Sequence, residues 1–181
     1  SGPSFMSSAD VQVKWQKPIF SNSDFSPLIG ADGTVYMASR ISAFSTDHIL
    51  SALNGETGKT IWETRIIGNP LLSSESRGAL GHDGTIYICN GRSPAKLYAF
   101  DPLDGHEKWN IIVGGPTTCL FPVIDKNGII YTSAPPPFNA QAALIIAINP
   151  DGTEKWRYEE PDRVASIPGL SLDASQIYVA F

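Results

Sequence analysis

The chain has 181 residues, 42% of them hydrophobic, and carries 13 basic against 18 acidic side chains, a net charge of −5. A chain of that length fits one domain, or two small ones, and can bury roughly 70% of its unfolded surface. The acidic excess argues against nucleic acid or anionic lipid as partner, and no apolar run approaches the roughly 20 residues of a membrane helix, so no membrane insertion is expected.

Residues 1–10, "SGPSFMSSAD", read as an expression remnant or flexible amino terminus without a signal peptide. Next, "VQVKWQKPI" within 11–20 is β-rich and predicts an outer strand carrying Trp15. Three complete units are expected over 26–66, 78–113 and 119–158, and a partial one over 167–181. Each opens on a small-residue strand such as "SPLIG" or "GALG". An Asp-Gly or Asn-Gly pair follows at 32–33, 83–84 and 127–128, the strongest short-range hairpin signal. The second strands are "TVYMA", "TIYIC" and "IIYTS"; a third apolar strand then leads through a glycine turn to a fourth strand bearing tryptophan.

These units are one repeat. Trp15, Trp62, Trp109 and Trp156 stand 47 residues apart at every step, and Tyr36, Tyr87, Tyr131 and Tyr178 follow at intervals of 51, 44 and 47. Glycine lies four residues before tryptophan in three units, as Gly58, Gly105 and Gly152. No window holds a period near 3.6, so very little helix is expected. Four short antiparallel strands per unit of this length predict the blades of an all-β propeller, about 3.75 blades in this chain. Tryptophan at a fixed place in each blade is expected to pack between blades, where one ring contributes roughly 4–6 kcal/mol of gross burial.

Ala52, Asn54, Thr57, Gly58, Lys59 and Trp62 resemble the tryptophan-docking motif of pyrroloquinoline-quinone (PQQ) repeat propellers, Ala-x-Asp-x-x-x-Gly-x-x-x-Trp. Ala99, Asp101, Gly105 and Trp109 fit the same spacing, and Ala147, Asn149, Gly152 and Trp156 fit it with one residue deleted. The amino-terminal copy keeps only Trp15. The resemblance implies a bacterial protein of the periplasm or cell exterior, and commonly an eight-bladed ring. Some members of that family are quinoprotein dehydrogenases holding quinone and calcium; others are non-catalytic, such as an outer-membrane assembly lipoprotein. The enzymes carry an adjacent Cys-Cys pair at the quinone, whereas Cys89 and Cys119 are separated by 30 residues. The acidic residues of "ADG", "HDG", "DPLDG" and "NPDG" suffice as turn formers. This chain is therefore expected to resemble the non-catalytic members, with no catalytic residues and no cofactor.

Two cysteines exclude a disulfide framework; they read as two small buried hydrophobes, with a single bridge left open. His48, His82 and His106 show no metal-ligand spacing, and no metal site is expected. Strands number 15 where four blades need 16, so a third strand is missing. The chain is expected to be half or part of a larger ring, as a fragment of a longer propeller or as one of two copies closing eight blades. A small four-bladed ring carrying one thin blade is the alternative. Self-association, with a dimer favoured, or a strand donated by a partner would supply the missing strand. Strand alternation puts short turns on one face and long, varied connections on the other. On the long-loop face Arg40, Phe44, Arg92, Phe138 and Arg163 are the binding candidates, since arginine and aromatic side chains anchor interfaces. The expected function is a scaffold binding a protein or peptide. A carbohydrate or small-ligand binder and a fragment of a PQQ-dependent dehydrogenase are the alternatives.

Overall fold

Gly33, Gly84 and Gly128 sit at positive φ (83°, 84° and 80°), closing the hairpins at the Asp-Gly and Asn-Gly pairs. In the first two turns the aspartate supplies the lock. Asp32 accepts the backbone N–H of Thr34 at 3.0 Å and its hydroxyl at 2.9 Å, and Asp83 holds Thr85 at 3.0 and 2.8 Å. The third turn solves the same problem from another position. Asp125 accepts the amides of Asn127 and Ile129 and the Tyr131 hydroxyl at 2.8, 2.9 and 3.1 Å.

A computed structural model of the chain describes residues 12–19, 25–42, 45, 47–66, 78–89, 94–115, 119–134, 143–161, 168–171 and 176–180. Among them are fourteen strands and no helix. Blade 1 comprises β1 (Leu28–Ile29), β2 (Val35–Arg40), β3 (His48–Leu53) and β4 (Thr60–Ile66). Blade 2 comprises β5 (Gly78–Leu80), β6 (Ile86–Cys89), β7 (Lys96–Phe100) and β8 (Glu107–Ile112). Blade 3 comprises β9 (Val123–Ile124), β10 (Ile130–Ala134), β11 (Ala143–Ile148) and β12 (Glu154–Glu160). The pair β13 (Gly169–Leu170) and β14 (Ile177–Tyr178) forms a two-stranded sheet after them. Every pairing is antiparallel between chain neighbours, so each blade is a meander.

The register repeats with the sequence. Tyr36 pairs with Ala52 and Ala52 with Trp62; Tyr87, Ala99 and Trp109 do the same, as do Tyr131, Ala147 and Trp156. Alanine in the middle strand is small enough for the two rings to meet across it, at centroid distances of 6.0, 5.7 and 5.9 Å. A register shift follows that alanine in all three blades, after Ala52, Ala99 and Ala147.

Blade 2 is buried on both faces. Ile86, Ile88, Tyr98 and Phe100 join Leu50, Ala52 and Trp62 of blade 1 in one core, while Tyr87, Cys89, Leu97 and Ala99 join Ile130, Ile146 and Ile148 of blade 3 in another. Both cores follow from the two-residue period of a strand, which sends neighbours to opposite faces. A third, smaller cluster sets Ala143 and Ile145 against Ile177 and Val179.

The tryptophans reach from each unit to the next turn. Trp15 donates its indole N–H to the Gly55 carbonyl at 2.8 Å, Trp62 to that of Pro102 at 2.9 Å and Trp109 to that of Pro150 at 3.0 Å. Each ring lies against the glycine that the spacing singled out. A Cβ on Gly105 would fall 2.4 Å from the Trp62 ring, and one on Gly152 2.8 Å from the Trp109 ring; both residues are also at positive φ. Glycine is therefore needed twice over at those positions. Residues 12–19 pair in no ladder among the described residues. Instead they lie on blade 1 through Trp15, the Lys14–Glu56 ion pair, and Lys17 bonded to Thr60 and Glu63 at 2.7 and 3.1 Å.

The cysteines need a correction. Both are buried, as expected of small hydrophobes, but they are bonded to each other across a Cα–Cα distance of 5.6 Å. Cys89 ends β6 in blade 2 and Cys119 enters blade 3, so the bridge crosses the junction inside the second core. That separation is ordinary for a disulfide.

Candidate functional site

On the long-loop face the structure places one of the five expected binding residues. Arg40 ends β2 half-buried and in register with His48, which is fully buried in β3. Phe44, Arg92, Phe138 and Arg163 lie outside the described residues. Beside Arg40's loop, Arg65 grips Asp47 through Nε and Nη2 at 3.1 and 2.6 Å, fixing the end of β4 to the entry of β3.

The opposite face, formed by the short turns, is less uniform than its sequence suggested. Between blades 1 and 2 the turns at 30–34, 81–84 and 102–103 enclose a groove of about 640 Å³ floored by Tyr36 and Trp62. Its counterpart between blades 2 and 3 is about 350 Å³, with Lys126 and Asn127 in its lining. There His82 points Nε2 at the Asp125 carbonyl, 3.0 Å away, tying two neighbouring turns together. The larger groove is the site that the sequence reading missed.

The aspartates of the turns on this face are held by hydrogen bonds. Hydrogen bonds from the Thr34 backbone and hydroxyl hold the Asp32 carboxyl below its ordinary value. Burial pushes Asp83 upward, but the Thr85 hydroxyl and amide and the Lys108 ammonium outweigh it, so it too is lowered. Burial likewise opposes the Ile129 and Asn127 amides at Asp125, and the amides prevail; the Thr153 hydroxyl and amide lower Asp151. Asp104 is lowered by the His106 amide and ring. A group lowered on folding adds stability above its unfolded pKa and loses it as pH falls through the folded value. The urea midpoint is therefore expected to be flat from pH 5 to 7 and to drop from about pH 4 downward, where aspartates begin to protonate in the unfolded chain. Melts at pH 3 and pH 6 check this, and equal midpoints would contradict it.

One cluster among the described residues brings metal-ligating atoms together: Asp101, Asp104 and His106 lie within 4.8 Å of one another. The turn already uses them. Asp101 accepts the Leu103 amide at 2.9 Å, and Asp104 accepts the His106 amide and contacts its Nδ1 at 3.0 and 2.7 Å. Nor do the described residues fit a quinone centre. The cystine sits inside the inter-blade core, and the aspartates Asp32, Asp83, Asp101, Asp104, Asp125 and Asp151 are engaged as turn locks.

Four-stranded meander blades, set side by side and joined by tryptophan, define a β-propeller. A family model described as outer membrane protein assembly factor BamB matches residues 6–119 and 46–181, and the chain belongs to this PQQ-repeat family. An outer membrane protein assembly factor BamB from Yersinia pestis is 26% identical over 140 residues, covering 74% of this chain and 34% of that protein. A serine/threonine-protein kinase AfsK from Streptomyces griseus is 25% identical over 134 residues, covering 68% of this chain and 15% of the kinase. This chain thus spans about a third or less of the curated relatives it matches. Among solved structures, the quinohemoprotein alcohol dehydrogenase of Comamonas testosteroni aligns with a TM-score of 0.58 at 19% identity, over 78% of this chain and 21% of the enzyme. A Bacteroides caccae protein of unknown function aligns at 0.53 and 12% identity, over 80% and 49%. These two establish the fold. An assembly factor and a kinase match this chain in sequence and a dehydrogenase shares its fold, so the fold alone does not specify an activity.

Proposed function

We propose that the chain is a non-catalytic protein-binding scaffold whose long-loop face recognises a protein or peptide. The observation carrying this reading is the use of its aspartates: Asp32, Asp83, Asp101, Asp104, Asp125 and Asp151 each accept a hydrogen bond from within their own turn. What the blades then offer is a rigid frame presenting loops, the usual setting for recognition. The assembly-factor name of the Yersinia pestis relative agrees with that role. The buried cystine supports an oxidising compartment as the place where the chain folds, because cytosolic thiols are kept reduced.

A photo-crosslinking amino acid in place of Arg40 is expected to capture a discrete protein adduct in the native host. The purified protein, given PQQ, calcium and alcohols or sugars, is expected to leave a redox dye unchanged. Dye reduction, or an Arg40 position that captures nothing, would overturn the reading.

A further inference from the structure

The short-turn groove between blades 1 and 2 breaks the repeat in one direction only. In the residue before each tryptophan the chain has Lys14, Ile61, Lys108 and Lys155, all exposed. Lysine is the ordinary occupant of that position, and Ile61 is the exception. The same junction has Leu103, an extra residue in its Asp-Pro-Leu-Asp-Gly turn that the Asn-Pro-Asp-Gly turn of the next blade lacks, and Ala31 where the next has His82. Packing does not ask for these side chains: Ile61 is 55% exposed, Leu103 85% and Ile29 70%. All three line the one groove. Scattered single apolar residues on a surface need no account, but three gathered on one concave site mark an interaction surface.

Charge says what fits there. Asp32 and Asp83 also line the groove, and no lysine or arginine does. Outside that lining, Lys108 stands 3.9 Å from Asp83 and hydrogen-bonds Thr85 at 3.0 Å. An apolar groove with two carboxylates in its lining is matched by a segment carrying aliphatic side chains and lysine or arginine. We propose that this groove is a second recognition site, on the face opposite the long loops, for an aliphatic-basic segment of a separate polypeptide. It extends the scaffold reading to a new surface and a defined partner chemistry.

The probe is a fluorescein-labelled ten-residue peptide alternating leucine with serine and bearing two lysines, titrated with the purified chain in low salt. Saturable binding is expected, weakened at least tenfold by Ile61→Lys or Leu103→Asp and by glutamate in place of the peptide's lysines. Ile61→Lys installs the residue that the other repeats carry at that exposed position, so the variant folds; its unchanged urea midpoint verifies this. Asp151→Ala, in the turn of the neighbouring junction and outside the groove, is expected to leave binding unaltered. Absence of saturable binding, or binding that ignores both groove variants, overturns the proposal. So does self-association that Ile61→Lys abolishes, which would make a second copy the occupant. If the groove fails while a crosslinker at Arg40 still captures protein, the scaffold reading stands alone.

Discussion

Trp109→Ala is expected to lower the unfolding free energy by about 3 kcal/mol, at the low end for truncating a packed tryptophan because the ring is half-buried. The loss has three parts. The indole no longer covers Gly152, the Pro150 carbonyl loses its donor, and Tyr87 loses the ring 5.7 Å away. Trp156→Ala is the control. It keeps the same place in its blade and an equivalent tyrosine neighbour, but the residue is 38% exposed and lines an open cleft with Ile145, Ile177 and Val179. About 1–2 kcal/mol is expected there. Urea denaturation of the two variants checks the difference; equal costs would mean that the contact with the next turn contributes nothing.

Removing the bridge is the second large effect. The double variant Cys89→Ser, Cys119→Ser opens a link between residues 30 apart, and the chain-entropy relation puts the loss at roughly 3–4 kcal/mol. Both positions are buried in the core between blades 2 and 3, so hydroxyls placed there add a desolvation cost. Cys89→Ala, Cys119→Ala separates the two contributions: it keeps the entropy loss and omits the hydroxyls. Thermal melts of the oxidised protein, the dithiothreitol-reduced protein and both variants are expected to rank in that order, with the serine variant lowest. A reduced protein that melts with the oxidised one would show that the bridge adds no stability.

Much of the architecture was legible because the repeat writes its geometry in rare residues. Tryptophan, tyrosine and turn glycine recur at positions where only a large ring, or a residue without a Cβ, fits the junction. The bridge was not legible in the same way. Two cysteines 30 residues apart reveal neither that one ends β6 nor that the other enters the adjoining blade, and contact between them depends on how sheets stack. The groove was legible in part. Ile61 among Lys14, Lys108 and Lys155 is visible by alignment alone, but its meaning needed the structure, which gathers Ile29 and Leu103 beside it from distant strands and turns. Reading the short turns as uniform hid that exception. Of the long-loop candidates, Arg40 is placed, and the others belong to connections whose sequences carry no periodic signal from which position can be read.

Because successive side chains of β6 and β7 enter different cores, the middle sheet has no slack on either side. Tilting it toward one neighbour would open a void against the other, and close-packed interiors resist such displacement. Stiffness here is thus a property of the stacking order rather than of any one contact. A ligand seated between blades 1 and 2 would push against a wall that is braced from behind by the cystine junction, so it would meet a mould of nearly constant width instead of a hinge.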